Sequence, residues 1–417
     1  MNLNWQRIAL LIGFILAVLL IGYGLYFIFL RPAVPTTTPG DTTGAGTGSL
    51  PTTNVGGGIP VAGNVNATLP TGTQGGSGQP GTEQPAEAST IARGGLTQSS
   101  ALTTSAAIRP TLSADGGRIS YYDPTTGRFY QLTTDGRITP LSEEVFFEVQ
   151  NITWSPSKSK AVLEYPDGAN IVYDFNTKKQ YTLPQHWKDF SFSPDSERVV
   201  VKSIGTAVDN RWLAVSDSDG SEATRLKELG DQDATVYNNW SPNGQIVAMY
   251  SEDINFDQQR LFFVGLNDEN FQSTVIEGRG FQGQWSSSGD TLLYSVYSSE
   301  TNYNPTLWIV DANAANTGQN RRSLKLQTWA DKCTFANDTT VYCAVPQALV
   351  EGSGFFQDDL NVAPSDIYKI DLTSGIKTKI ATPESNLVAE NIIVDKNQSN
   401  LYFTDRFDGR LYTVRLR

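Results

Sequence analysis

Catalytic side chains are scarce in this chain: 417 residues hold one histidine, two cysteines and two methionines. The histidine, His186, lies in Pro184-Gln185-His186-Trp187, a turn-like stretch, so a Ser-His-Asp triad would have to run through a turn residue beside an aromatic. Cys333 and Cys343 form no CxxC pair and His186 is far from them in sequence, so no metal-ligand set can be built and no metal or cofactor is expected. GxSxG and P-loop patterns are also missing. On these absences no catalytic residue is assigned and the chain is expected not to be an enzyme. Positive charge is short as well, with 31 Lys and Arg against 43 Asp and Glu and a net charge of −12. Arg7 and Arg31 put +2 on residues 1–31, while Asp41, Glu83, Glu87 and Arg93 put −2 on residues 32–107. Since these cancel, residues 108–417 carry the whole −12. Such a surface repels phosphate backbones and anionic lipid headgroups, so no nucleic-acid partner is expected. A solvated acidic surface is the plain reading, and a basic partner or a divalent cation is the sharper one.

What the chain does have is a recurring phrase. It reads Trp154-Ser155-Pro156-Ser157, Phe192-Ser193-Pro194-Asp195, Trp240-Ser241-Pro242-Asn243 and Trp285-Ser286-Ser287-Ser288, each followed by a β-rich run such as Arg198-Val199-Val200-Val201. Weaker copies begin at Leu112, Phe335 and Val394, so the steps between copies are 42, 38, 48, 45, 50 and 59 residues. About 40 residues accommodate four short strands and their turns. The second half of each unit is a strand, a turn and a strand, as in Asp366–Asp371, Ser374-Gly375 and Lys377–Ile380. Two hairpins per unit make a four-stranded blade. Seven units are counted between Ile108 and Arg417, six being the alternative count, and the last has three strands of its own. Its fourth is expected from the segment before Ile108, closing a ring. The fold class is therefore all-β, a seven-bladed β-propeller.

These Trp-Ser-Pro turns with their trailing strands resemble the TolB-like, WD40-like propeller repeats of bacterial envelope proteins, over roughly residues 108–417. The resemblance implies the fold and an envelope setting. It implies no partner, because the chain lacks an α/β domain before the propeller and has seven units where TolB has six.

Residues 1–31 are expected to form a membrane anchor. Ile8 to Leu30 is free of charge, and its 23 residues would span about 34 Å as a helix. A cleaved signal peptide would have a shorter core and a small-residue site, whereas this run ends in Phe29-Leu30-Arg31-Pro32. Residues 32–107 are mostly Thr, Gly, Pro, Ser and Ala, too poor in large apolar side chains to offset the entropy of ordering, and read as a disordered linker. Together they predict a single-pass membrane protein with its propeller, residues 108–417, on the extracytoplasmic side. Cys333 and Cys343 flank a turn centred on residue 338, so they would face each other across a hairpin and are a disulfide candidate, suited to an oxidising compartment. Two reduced, buried thiols are the alternative.

Ser113-Ala114-Asp115-Gly116-Gly117 and Asp217-Ser218-Asp219-Gly220 look in part like a sialidase Asp-box and a calcium loop, but lack the rest of either pattern and read as turns. The recurring aromatics Trp154, Phe192, Trp240, Trp285 and Phe335 read as packing between blades. Function is expected where insertions accumulate. In a four-stranded blade the loops between second and third strands share one face with the blade-to-blade connections. Those loops are long in the third to sixth units and hold Phe256, Tyr303, Phe355 and Phe356 among Asp253, Asp257, Glu300, Asp358 and Asp359, with Trp187 expected from a blade junction on the same face. Aromatics within an acidic rim suit protein recognition. The reading is a membrane-anchored, extracytoplasmic propeller that binds a protein partner in a bacterial envelope or surface assembly. A carbohydrate-binding adhesin, with a glycan as ligand, and a propeller-type glycan or peptide hydrolase or lyase are the alternatives.

Overall fold

The computed structural model describes residues 87–417, apart from 134 and 314, together with Leu20. The rest of the expected anchor, and the expected linker up to residue 86, lie outside the described residues. Among the described residues no helix is long and apolar enough to cross a membrane.

Each repeat of the sequence becomes one antiparallel sheet, and there are seven among the described residues. Blades 1 to 6 span residues 108–140, 151–183, 187–228, 236–276, 279–323 and 333–383, with strands in sequence order across each sheet. The first strands of neighbouring blades touch one another, which puts them innermost and the fourth strands outermost. Blade 7 supplies Ala389–Val394, Asn400–Asp405 and Leu411–Arg415, and its outer strand is Ser99–Ala101, antiparallel to Leu411–Arg415 with Ser99 opposite Val414. Just before it, Leu96–Thr97 runs parallel to Lys377–Pro383 as a fifth strand of blade 6. Residues 87–107, grouped with the linker on composition, thus contain a strap across two blades.

Strand side chains alternate between the two sides of a sheet, and here each side faces a neighbouring blade. The core is accordingly divided into seven apolar clusters, one per blade interface. Between blades 4 and 5, for example, Met249, Leu261 and Phe263 meet Phe281, Trp285 and Tyr294. The recurring aromatics sit in these interfaces. Trp154 and Trp285 also donate their indole N–H to backbone oxygens of the preceding blade, Arg109 at 2.9 Å and Asn239 at 3.0 Å.

The serine of the repeated phrase has a definite job. In blade after blade its Oγ accepts the backbone N–H five residues on: Ser113 from Arg118 at 3.0 Å, Ser155 from Lys160 at 3.1 Å, Ser193 from Arg198 at 2.9 Å, Ser241 from Ile246 at 2.9 Å and Ser286 from Thr291 at 3.1 Å. Blade 7 substitutes Asp395, which accepts from Asn400 at 3.1 Å. Ser241 is fully buried, so replacing it by Ala would strand the Ile246 N–H away from water. Ser241→Ala is expected to lower stability by about 1–3 kcal/mol, read as a lower urea midpoint at unchanged slope.

Candidate binding face

The connections between second and third strands, and those between blades, emerge on one face. Over blades 4 to 7 they are tied into one surface. Asp257, at the tip of the blade 4 hairpin, accepts from the backbone N–H and Oγ of Ser299 at 2.8 and 2.7 Å. The blade 6 loop pairs with the blade 5 loop through Gly352 N–H to Asn302 O at 2.9 Å and Gly354 N–H to Tyr303 O at 2.8 Å. Arg406 of blade 7 donates to the backbone oxygen of Asp358. Gly354 is required where it is, since a Cβ there would come within 2.5 Å of the Tyr297 ring.

The sequence-selected residues divide into three groups. Phe256, Tyr303, Phe355 and Phe356 form a run of rings, with centroids 6.0, 5.2 and 6.2 Å apart in that order, and Phe355 also packs on Tyr297 at 4.5 Å. Glu300, Asp358 and Asp359 are exposed around them. Asp253 and Asp257 are instead engaged within the fold. Asp253 pairs with Arg279 at 2.9 Å and accepts from Gln259 at 2.9 Å, which holds its carboxyl below the usual range. The Ser299 hydrogen bonds do the same for Asp257. Residues 252–255, read as loop, continue the strand Ala248–Asn255, whose partner resumes at Gln258. Trp187 is a plain correction: it is 5% exposed, inside the apolar cluster between blades 2 and 3, because the blade connection turns inward there. His186 is exposed, its ring in a turn as expected.

Two phenylalanines of this face escaped the sequence reading. Phe147 lies in the connection from blade 1 to blade 2 and Phe407 in the short loop of blade 7. The exposed phenylalanines among the described residues are Phe147 (66%), Phe256 (59%), Phe355 (44%), Phe356 (61%) and Phe407 (69%), and all five belong to this face. Loop length was the signal used, and it could not find them.

A polar network at the mouth of the central channel was also missed. Lys332, 1% exposed, donates to Asn361 Oδ1 at 2.6 Å, Asn361 Nδ2 donates to Glu390 at 3.0 Å, and Glu390 pairs with Arg406 at 2.8 Å. Gln357 donates to Asp331 at 2.7 Å. Asp331, Lys332, Gln357, Glu390 and Arg406, with Arg109, border a cavity of about 390 Å³. Desolvation raises the Asp331 carboxyl and pulls the Lys332 ammonium down to about 8, against the attraction of Glu390 and Asp331. From pH about 8 to 10.5 the unfolded chain then holds a proton on this lysine that the folded chain has released. Stability contributed by Lys332 should therefore rise with pH across that window, by up to about 3 kcal/mol. Denaturation at stepped pH should show a rise that is smaller by this amount in Lys332→Met, because Lys158, also pulled down to about 8 by desolvation, keeps its own share.

Cys333 and Cys343 lie opposite each other in the first hairpin of blade 6, their Cα atoms 4.0 Å apart, and are joined as a disulfide. Among the described residues no group of three or more His, Cys, Asp or Glu side chains is placed to hold a metal ion.

The fold and this face define a seven-bladed propeller with one aromatic, acid-rimmed surface. No family model matches the chain, and no curated protein does. Among solved structures it is similar to an oligogalacturonate lyase in complex with manganese, at 14% identity and TM-score 0.49, covering 76% of this chain and 93% of that one. It is similar also to the Cps50 (Swd1) β-propeller domain of Myceliophteria thermophila, at 10% identity and TM-score 0.51, covering 76% of this chain and 100% of that one. TolB from Acinetobacter baumannii matches at 15% identity and TM-score 0.42, covering 64% of this chain and 67% of that one. At these identities the likeness is one of fold.

The expectation that the chain is not an enzyme is corrected here. Two oligogalacturonate lyases stand among the matches beside TolB, so the chain is not set apart from enzymes. The missing motifs spoke only for nucleophile elbows and nucleotide loops. They were silent on acid–base groups such as Asp331, Lys332 and Glu390, which no short motif marks.

Proposed function

We propose that the chain is a membrane-anchored, extracytoplasmic propeller whose loop face docks a protein partner in a bacterial envelope or surface assembly. The observation that carries this reading is the gathering of all five phenylalanines exposed among the described residues on one face, over loops that hydrogen bonds tie together. A preorganised surface with exposed aromatic anchors loses little entropy on binding, and such anchors dominate interface energetics. The uncharged run Ile8 to Leu30 supports the anchor, and the Cys333–Cys343 disulfide supports an oxidising compartment.

The test is in-cell photo-crosslinking from position Phe355, with a second probe at Asp219 on the opposite face. A discrete protein captured from Phe355 alone supports docking. Equal labelling from both positions removes it. Phe355→Ser with Phe356→Ser is expected to leave the melting temperature within a few degrees, since both rings are already half exposed, and to abolish the capture.

A further inference from the structure

Beneath Phe355 and Phe356 lies a cavity of about 460 Å³ at the junction of blades 4, 5 and 6. Its walls are rings, from Tyr237, Phe281, Tyr297, Trp329, Phe355 and Phe356. Two glycines keep it open, because a Cβ at Gly280 or Gly354 would come within 2.4 or 2.5 Å of Tyr297. Its charged groups are of one sign. Asp358 and Asp359 stand in the wall, both exposed, and no lysine, arginine or histidine lines it. Gln282 donates to Gln357 at 2.6 Å and leaves its own carbonyl oxygen without a partner. Aromatic faces and carboxylates both attract positive charge, and neither suits an anion.

The same face already shows this chemistry satisfied from within. Arg279 lies 5.6 Å from the centre of the Phe256 ring and pairs with Asp253 at 2.9 Å. The cavity under Phe355 offers rings and carboxylates in the same combination, with Lys332 at 6.0 Å from the Trp329 ring and no lysine or arginine in its lining.

We propose that this cavity takes a lysine or arginine side chain of the docked protein, its stem between the rings and its charged head at Asp358 and Asp359. This rests on the docking reading and gives it a partner chemistry. The −12 charge of the chain supplies the long-range attraction for a basic surface.

The experiment uses the full chain labelled with 4-fluorophenylalanine, with the Phe355 and Phe356 fluorine resonances assigned by single substitution. The probes are the N-acetyl methylamides of lysine, arginine, norleucine and glutamate. The lysine and arginine probes should shift those resonances, and norleucine and glutamate should not. Asp358→Asn with Asp359→Asn, both exposed, should weaken the cationic probes about fivefold. Norleucine binding as well as lysine, indifference to the Asp changes, or no shift from any probe would each overturn the proposal. A protein captured from Phe355 while the probes leave the rings unmoved would sink the cation pocket and spare the docking reading.

Discussion

A chain that begins at Ser105 should be markedly less stable than one that begins at Glu87, by about 5 kcal/mol. The difference is the strap. Leu96–Thr97 and Ser99–Ala101 pair with blades 6 and 7, and further backbone bonds run from Ala92 to Arg415 at 2.8 Å, Gly94 to Ile380 at 2.7 Å and Leu102 to Leu411 at 2.7 Å. Thr103 Oγ1 accepts from the buried Leu411 N–H at 3.0 Å. At about 1 kcal/mol net per bond, with the packing of Ala92 and Leu102 beside them, these contacts set the size of the expected loss. A melting temperature about 10 °C lower is expected by calorimetry. Without the strap Leu411–Arg415 becomes an open edge, a template for pairing between chains, so light scattering should show oligomers as well. Equal melting of the two chains would mean that blade 7 is complete with three strands.

The strap also shows what was readable in the chain and what was not. Local rules were legible. The serine of the repeated phrase bonds five residues ahead in its own hairpin, so it recurs wherever a blade begins, and the blade count follows from it. The need for a closing strand was legible from the three-stranded last unit, and so was its source before Ile108, but not which residues form it, because Ser99-Ser100-Ala101 has no β-branched or aromatic residue. The face was legible only through loop length. That found Phe355 and Phe356, missed Phe407 in a short loop, and took residues 252–255 for loop because the polar Glu252, Asp253 and Asn255 hide a strand lying beyond the core. Trp187 was misjudged since burial of a blade junction depends on its neighbour, here Phe190 and Phe192 of the same cluster. The channel network is assembled from residues 331, 332, 357, 361, 390 and 406, distant in sequence and without a shared spacing.

Reduction, or Cys333→Ala with Cys343→Ala, is expected to cost about 3 kcal/mol. The bond closes a loop with a separation of 10 residues, and releasing it returns that loop's entropy to the unfolded chain. Both cysteines are buried in the cluster between blades 5 and 6, so the alanine pair adds a small packing loss. The consequence reaches the channel mouth. Cys333 begins the innermost strand of blade 6 immediately after Ala330–Lys332, the turn that presents Asp331 and Lys332 to the polar network. Freed from Cys343, that strand end is held by the Thr334, Phe335 and Asn337 pairings with the next strand and by the Lys332–Asn361 and Gln357–Asp331 bonds. Hydrogen exchange should therefore speed up first in residues 330–337 and in the short helix Gln357–Leu360 that Gln357 ties to them, while blades 1 to 3 keep their protection. Uniform loss of protection around the ring would instead mean that the disulfide acts on the unfolded chain alone.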